Sequence, residues 1–137
     1  MAAVTYTAAQ VSPVYPAQSE IYDYIAAAAI TQGQPVYITT AGKVNLADAN
    51  AASPANRFRG IALNNASAGQ AVSVLVKGAV YGFTLSGLAY DAAVYISDTV
   101  GTYDDTASGT TSLAVGKVMP LADKDITKVL YVTGIAG

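Results

Sequence analysis

Short runs of apolar, β-branched and aromatic residues recur along this chain, separated by clusters rich in glycine, asparagine and aspartate, and no stretch holds a long helical period. The pattern predicts strands at Pro35 to Thr39, Lys43 to Leu46, Phe58 to Leu63, Ala71 to Val76, Ala93 to Ser97, Ala114 to Met119 and Lys128 to Thr133. Small-residue or polar connections are expected between them, at Ala47 to Asn56, Asn64 to Gln70, Asp98 to Ser112 and Pro120 to Asp125. Pro35 stands at the first position of its strand, where a sheet tolerates a missing amide.

The same pattern is written twice. Val36-Tyr37-Ile38-Thr39 returns as Val94-Tyr95-Ile96-Ser97, Gly60-Ile61-Ala62-Leu63 as Gly116-Lys117-Val118-Met119, and VSVLVKG from Val72 to Gly78 as KVLYVTG from Lys128 to Gly134. The second copy follows the first by 56 to 58 residues, a period that marks a duplicated β unit and constrains architecture more than chemistry. The alignment decides one ambiguous stretch. Ser19 to Ile30 (SEIYDYIAAAAI) has a candidate N-cap at Ser19 and four consecutive alanines, which favour helix. Its counterpart, Ala79 to Leu88 (AVYGFTLSGL), is aromatic and β-branched with glycine breaks, so both segments are expected as strands. Residues 1–20 follow neither period, and Pro13 and Pro16 remove backbone donors and extend the residues before them. The expected fold is all-β: a small barrel or sandwich of two degenerate β repeats, about 21–78 and about 79–134, behind an extended N-terminal arm over 1–20.

Composition changes the picture of the surface. The 137 residues are 53% hydrophobic and only 12% charged, about half the charge of an ordinary soluble domain. Ten tyrosines supply nearly all the aromatic area, and a ring with an apolar body and a water-tolerant hydroxyl suits half-exposed faces and interfaces. Together these predict a surface partly covered by a partner or by further copies of the chain. The net charge is −2 and the seven basic residues are scattered, with Arg57 and Arg59 the nearest to a pair, which argues against nucleic acid as a partner. The apolar run from Ile25 to Ile30 is far shorter than a membrane span needs. MAAVTYTAAQ lacks the charged and apolar regions of a secretory signal, so a product made in the cytoplasm is expected.

Candidate chemistry is sparse. The chain has no histidine and no cysteine, so the commonest general base, the thiol nucleophile and the commonest metal ligand are absent. Asp98-Thr99-Val100-Gly101 approaches an aspartic-protease loop, but Val100 interrupts the triplet and the first repeat has Thr40 in place of a second aspartate. Asp98, Asp104 and Asp105 match no calcium loop in their spacing and read as a solvated acidic connection. Gly109 to Lys117 has six residues between its glycines and Val118 after the lysine, so it is not a phosphate-binding loop. Asn65-Ala66-Ser67 fits a glycosylation acceptor by chance, and Lys124 between Asp123 and Asp125 reads as a charged turn. Tyr22, Tyr24, Tyr37, Tyr81 and Tyr95 offer material for a glycan-binding platform, although Tyr37 and Tyr95 are repeat-equivalent and are expected to serve architecture. No catalytic, cofactor-binding or metal-ligating residue is assigned, and the chain is not expected to be an enzyme.

The runs GQPVYITTAGKVNLADAN and RFRGIALNNASAGQAVSVLVKG carry, in order, a Gly-x-Pro-Val-Tyr strand, a Gly-Lys-Val hairpin, an alanine- and aspartate-rich loop, Gly-Ile-Ala-Leu and Ala-Gly-Gln-x-Val-x-Val. In this the chain resembles the capsid cement, or head-decoration, proteins of tailed bacteriophages. The likeness covers residues 33–82, and its weaker echo extends to Gly134. The resemblance implies a β-tulip-like structural protein without enzymatic activity, often a homotrimer, on the virion exterior where major capsid protein subunits meet. It also implies that binding to the expanded shell stabilises that shell. On that reading the arm residues Tyr6, Val11, Val14 and Tyr15 are expected to drape over a neighbouring subunit or add a strand to its sheet, and Arg57 and Arg59 to form a second contact. Deleting residues 1–18 is then expected to leave a folded protein that no longer binds shells. The alternative from a different class is a glycan-binding β module of a phage tail or surface protein.

Overall fold

Ten strands pair antiparallel into one sheet in the computed structural model, which describes residues 3–107, 114–121 and 127–133. They are β1 (Ala3–Val4), β2 (Glu20–Ile25), β3 (Pro35–Ile38), β4 (Val44–Leu46), β5 (Gly60–Ala62), β6 (Ala71–Val80), β7 (Ala93–Ile96), β8 (Tyr103–Asp104), β9 (Ala114–Leu121) and β10 (Thr127–Thr133). The order across the sheet is β1-β8-β7-β9-β10-β6-β5-β3-β4, with β2 also paired to β6. The fold is all-β and sandwich-like, and the sheet does not close into a barrel. The start of the candidate phosphate loop at Gly109, the turn from Ala122 to Asp125 with Lys124, and the end of the second repeat at Gly134 lie outside the described residues.

Strand registers repeat as the sequence does. Val36 faces Gly60 and Val94 faces Gly116; Ile61 faces Leu75 and Lys117 faces Tyr131; Ala62 faces Val74 and Val118 faces Leu130. The equivalence extends to the stretch where helix propensity and the repeat disagreed. Ile21 and Tyr22 pair with Leu75 and Val74, and their counterparts Ala79 and Val80 pair with Tyr131 and Leu130. β6 therefore serves both copies: its first part is the last strand of one unit, and its end is the first strand of the next. The four alanines form neither helix nor further strand. After Ile25 the chain turns inward, with Ala26 bridged in parallel to Val44 and Ile30 bridged to Ala66, and both Ala26 and Ile30 are buried.

Alternation along β6 divides the interior in two. Val72, Val74 and Val76 point into a cluster with Val36, Val44 and Ala62 inside the first repeat. Leu75 points the other way, with Ile61, into a larger cluster that includes Val94, Val118 and Leu130 of the second repeat and the rings of Phe58 and Tyr103. The back of repeat one is thus the floor of repeat two's core. Repeat two has Lys117 and Tyr131 at the positions of Ile61 and Leu75; Lys117 is exposed and Tyr131 half-buried, so substitution at two positions turns a buried face into an outer one.

The N-terminal segment lies along its own chain. Residues 5–25 run antiparallel along residues 71–84, interrupted by two 3-10 turns at Ala8–Gln10 and Pro16–Gln18. Ala3 and Val4 pair with Asp104 and Tyr103, Tyr6 bridges Phe83 and Pro13 bridges Val80. Val4 and Val11 are buried in the larger cluster, and Tyr6 packs against it. Gly82, at φ 99°, permits this approach: a Cβ there would lie 2.8 Å from the Val11 nitrogen. The strand expected from Ala79 to Leu88 ends at Val80, and beyond it the chain stays beside the arm through Tyr81, Gly82 and Phe83. A further departure is β8, a two-residue strand inside what reads as a polar loop, which pairs with both β7 and β1.

Candidate interaction surface

Seven large apolar side chains are conspicuously exposed among the described residues, and four of them, Tyr15, Tyr22, Ile25 and Tyr81, lie along the ribbon formed by residues 12–25 and 71–81. The ribbon is roughly 30 Å long at the rise of a β-strand. Its inner edge is occupied. Lys77 pairs with Thr133 on one side and Glu20 on the other, and Val80 with Leu130 and Pro13, so β10 and β5 share one edge of β6 while β2 and the arm share the opposite edge.

Hydrogen-bond direction shows what the outer edge offers. The Ser73 carbonyl accepts the Leu63 N–H at 2.8 Å, toward β5, and the Gln70 carbonyl accepts the Ala26 N–H at 2.9 Å, on the β2 side. Successive backbone groups point to opposite edges, so Tyr22 and Tyr24, opposite Val74 and Val72, bond inward to β6. The amides and carbonyls of Ile21 and Asp23 point outward, and β2 pairs with no other strand among the described residues. The Asp23 carboxylate accepts the Ser73 hydroxyl at 2.7 Å. Tyr22 donates to Glu20 at 3.3 Å, and the Glu20 charge, followed by that hydrogen bond, raises the Tyr22 pKa.

The proposed contact residues separate into three groups. Val11 is 1% exposed and its carbonyl accepts the Gln32 side-chain amide at 2.7 Å, so it is a core residue of this fold and not a surface contact. Tyr6 is half-buried, its ring centroid 5.4 Å from Phe83 and 5.7 Å from Tyr103, and desolvation raises its pKa; it too is spent within the chain. Val14 is half-buried and donates its N–H to the Ala79 carbonyl at 2.9 Å, while Tyr15 is 49% exposed. Arg57 and Arg59 are half-buried, and the Arg59 guanidinium donates to the Phe58 carbonyl at 3.0 Å, so neither stands as a free surface cation. Sequence reasoning missed Ile21 and Asp23, because the openness of an edge depends on which strands arrive beside it.

The other candidate chemistries are dispersed. Tyr22 and Tyr24 share the face of Val72 and Val74, whereas Tyr37, next to Val36 on β3 and paired with Asn45, points to the other face and Tyr95 belongs to the second repeat, so the five tyrosines do not form one platform. Asp98 is exposed in the β7–β8 turn while Asp104 is buried on β8, and no group of three metal-ligating side chains gathers among the described residues. No helix among them is long and apolar enough to cross a membrane. In comparisons with family models, curated proteins and solved structures, nothing matches the chain.

Proposed function

We propose that this protein is a structural virion component that binds the outer surface of a tailed-phage capsid, as a homotrimer where major capsid protein subunits meet, and stabilises the expanded shell. The observation that carries the reading is the exposed row of Tyr15, Tyr22 and Tyr81 along one ribbon of a low-charge surface, joined to the sequence likeness over residues 33–82. Aromatic side chains in such a row supply contact area at little conformational cost. The mechanism is mass action: a ligand that binds only the expanded shell lowers its free energy by RT ln(1 + [L]/Kd), multiplied over every site of the lattice. Because residues 3–14 are built into the fold, the contact falls to Tyr15 and the β2 ribbon and not to a free arm.

Co-sedimentation with purified expanded and unexpanded tailed-phage heads tests this. Selective binding to expanded heads, with a rise in their melting temperature, is expected, and Tyr22→Ser with Tyr81→Ser should weaken it. Absence of binding to expanded heads, or equal binding to both forms without stabilisation, overturns the reading.

A further inference from the structure

The repeat predicts what belongs on the open edge of β2. Ile21 and Asp23 are the repeat counterparts of Ala79 and Tyr81, and Ile21 and Ala79 hold the same register, against the equivalent residues Leu75 and Tyr131. In repeat two the outward groups of that pair are satisfied: the Ala79 carbonyl accepts the Val14 N–H at 2.9 Å and the Tyr81 N–H donates to the Ser12 carbonyl at 2.9 Å. An extended segment, Ser12-Pro13-Val14, therefore fills in the second repeat the position that no described residue fills in the first. The chain's own arm cannot fill both, since Val4 and Val11 anchor it in the core. Past Ile25 the edge is already taken, because Ala27 donates to the Val44 carbonyl at 2.8 Å, so the vacancy is confined to the stretch around Ile21 and Asp23.

We propose that this edge is a docking site for an extended strand of a partner chain that carries lysine or arginine. Main-chain hydrogen bonds to Ile21 and Asp23 supply the affinity, as in other cases of strand addition. Charge selects the occupant. Glu20 and Asp23 are both exposed on β2, and Lys77 on β6 lies opposite Glu20. A second copy pairing β2 with β2 would gather four carboxylates and no cation on the two paired strands, an arrangement that edge strands use to resist self-association. A cationic side chain placed across from Asp23 would instead be paired. This site stands independently of the capsid reading: failure to bind heads would leave it intact, and its failure would leave head binding to the exposed tyrosines.

Amide hydrogen exchange by NMR, on the whole protein, tests it with two capped peptides of alternating valine and threonine, one bearing two lysines and the other two glutamates. The lysine peptide is expected to slow exchange at Ile21 and Asp23 by about tenfold or more, the scale of a hydrogen bond that opens only on dissociation, while Tyr22 and Tyr24, already bonded to β6, change little. Asp23→Lys should transfer the preference to the glutamate peptide. No slowing by either peptide up to millimolar concentration overturns the docking site. Equal slowing by both, or an unchanged preference in Asp23→Lys, overturns the basic partner, as does slowing that grows with protein concentration alone, which would identify a second copy.

Discussion

The Tyr103 hydroxyl donates to the Gly33 carbonyl at 2.6 Å, across seventy residues of chain, and ties β8 of the second repeat to the loop that feeds β3 of the first. Tyr103 is fully buried, with the rings of Phe83 and Tyr6 edge-on at 5.1 and 5.7 Å. Tyr103→Phe keeps the ring packing and leaves the Gly33 carbonyl without its donor. The expected cost is about 1–2 kcal/mol, read as a fall of roughly 3–5 °C in Tm per kcal/mol for a domain of this size.

The same residue sets an alkaline limit. Burial, and secondarily the neighbouring Tyr6, holds the Tyr103 hydroxyl well above its ordinary value of 10.0. An unfolded chain releases that proton near 10.0, whereas the folded chain keeps it, so above that pH the unfolded state binds fewer protons and stability falls with rising pH. Below it the contribution is fully present. Urea denaturation from about pH 8 to pH 11 should show a plateau followed by a decline, and Tyr103→Phe should flatten most of the decline. An equal slope in the variant would assign the alkaline loss to other groups.

Gly60 and Gly116 hold equivalent places for one reason. A Cβ on Gly60 would lie 2.8 Å from the Leu75 carbonyl oxygen, and one on Gly116 would run into the carbonyl oxygen of Tyr131, the counterpart of Leu75. Backbone atoms yield less readily than side chains, so Gly60→Ala and Gly116→Ala should each destabilise by about 1–3 kcal/mol, with Gly116→Ala the more damaging. Gly42, whose added Cβ meets nothing within 4 Å, gives the contrast, since Gly42→Ala carries only the strain of its positive φ of 81°. Chemical denaturation of the three variants ranks them.

Strand pattern and duplication were legible because they are local: Val36-Tyr37-Ile38 and Val94-Tyr95-Ile96 alternate in place, and each copy vouches for the other. The glycines at 60 and 116 were also visible as a repeated residue at a repeated position. What escaped was pairing at long range. β8 is two residues long and inherits its strand character from β7 and β1 on either side. The proline-bearing N-terminal segment has no period of its own because its extended course is imposed by residues 79–84, some seventy residues away. The open edge at Ile21 and Asp23 is legible only once the pairing of Ala79 and Tyr81 with the arm is known, although the alignment of the two stretches was present in the sequence throughout.

That long-range pairing reverses the expected result of removing the arm. Deleting residues 1–18 takes away the buried side chains of Val4 and Val11, the Tyr6 ring against Phe83 and Tyr103, and the hydrogen bonds from the Val14 N–H to Ala79 and from the Tyr81 N–H to Ser12. Burial of a valine contributes about 1.5–3 kcal/mol, so the two valines alone account for about 3–6 kcal/mol, a large share of the roughly 5–15 kcal/mol by which an ordinary domain is stable. The truncated chain should unfold or melt far below the intact protein. Any loss of shell binding it shows would then report lost structure and not a lost contact. Tyr15→Ser separates the two, because that side chain is 49% exposed and its removal should leave Tm within about 2 °C, as surface substitutions do, while weakening attachment to heads. A truncated protein with an unchanged denaturation midpoint would show that the arm's contacts contribute nothing to the fold.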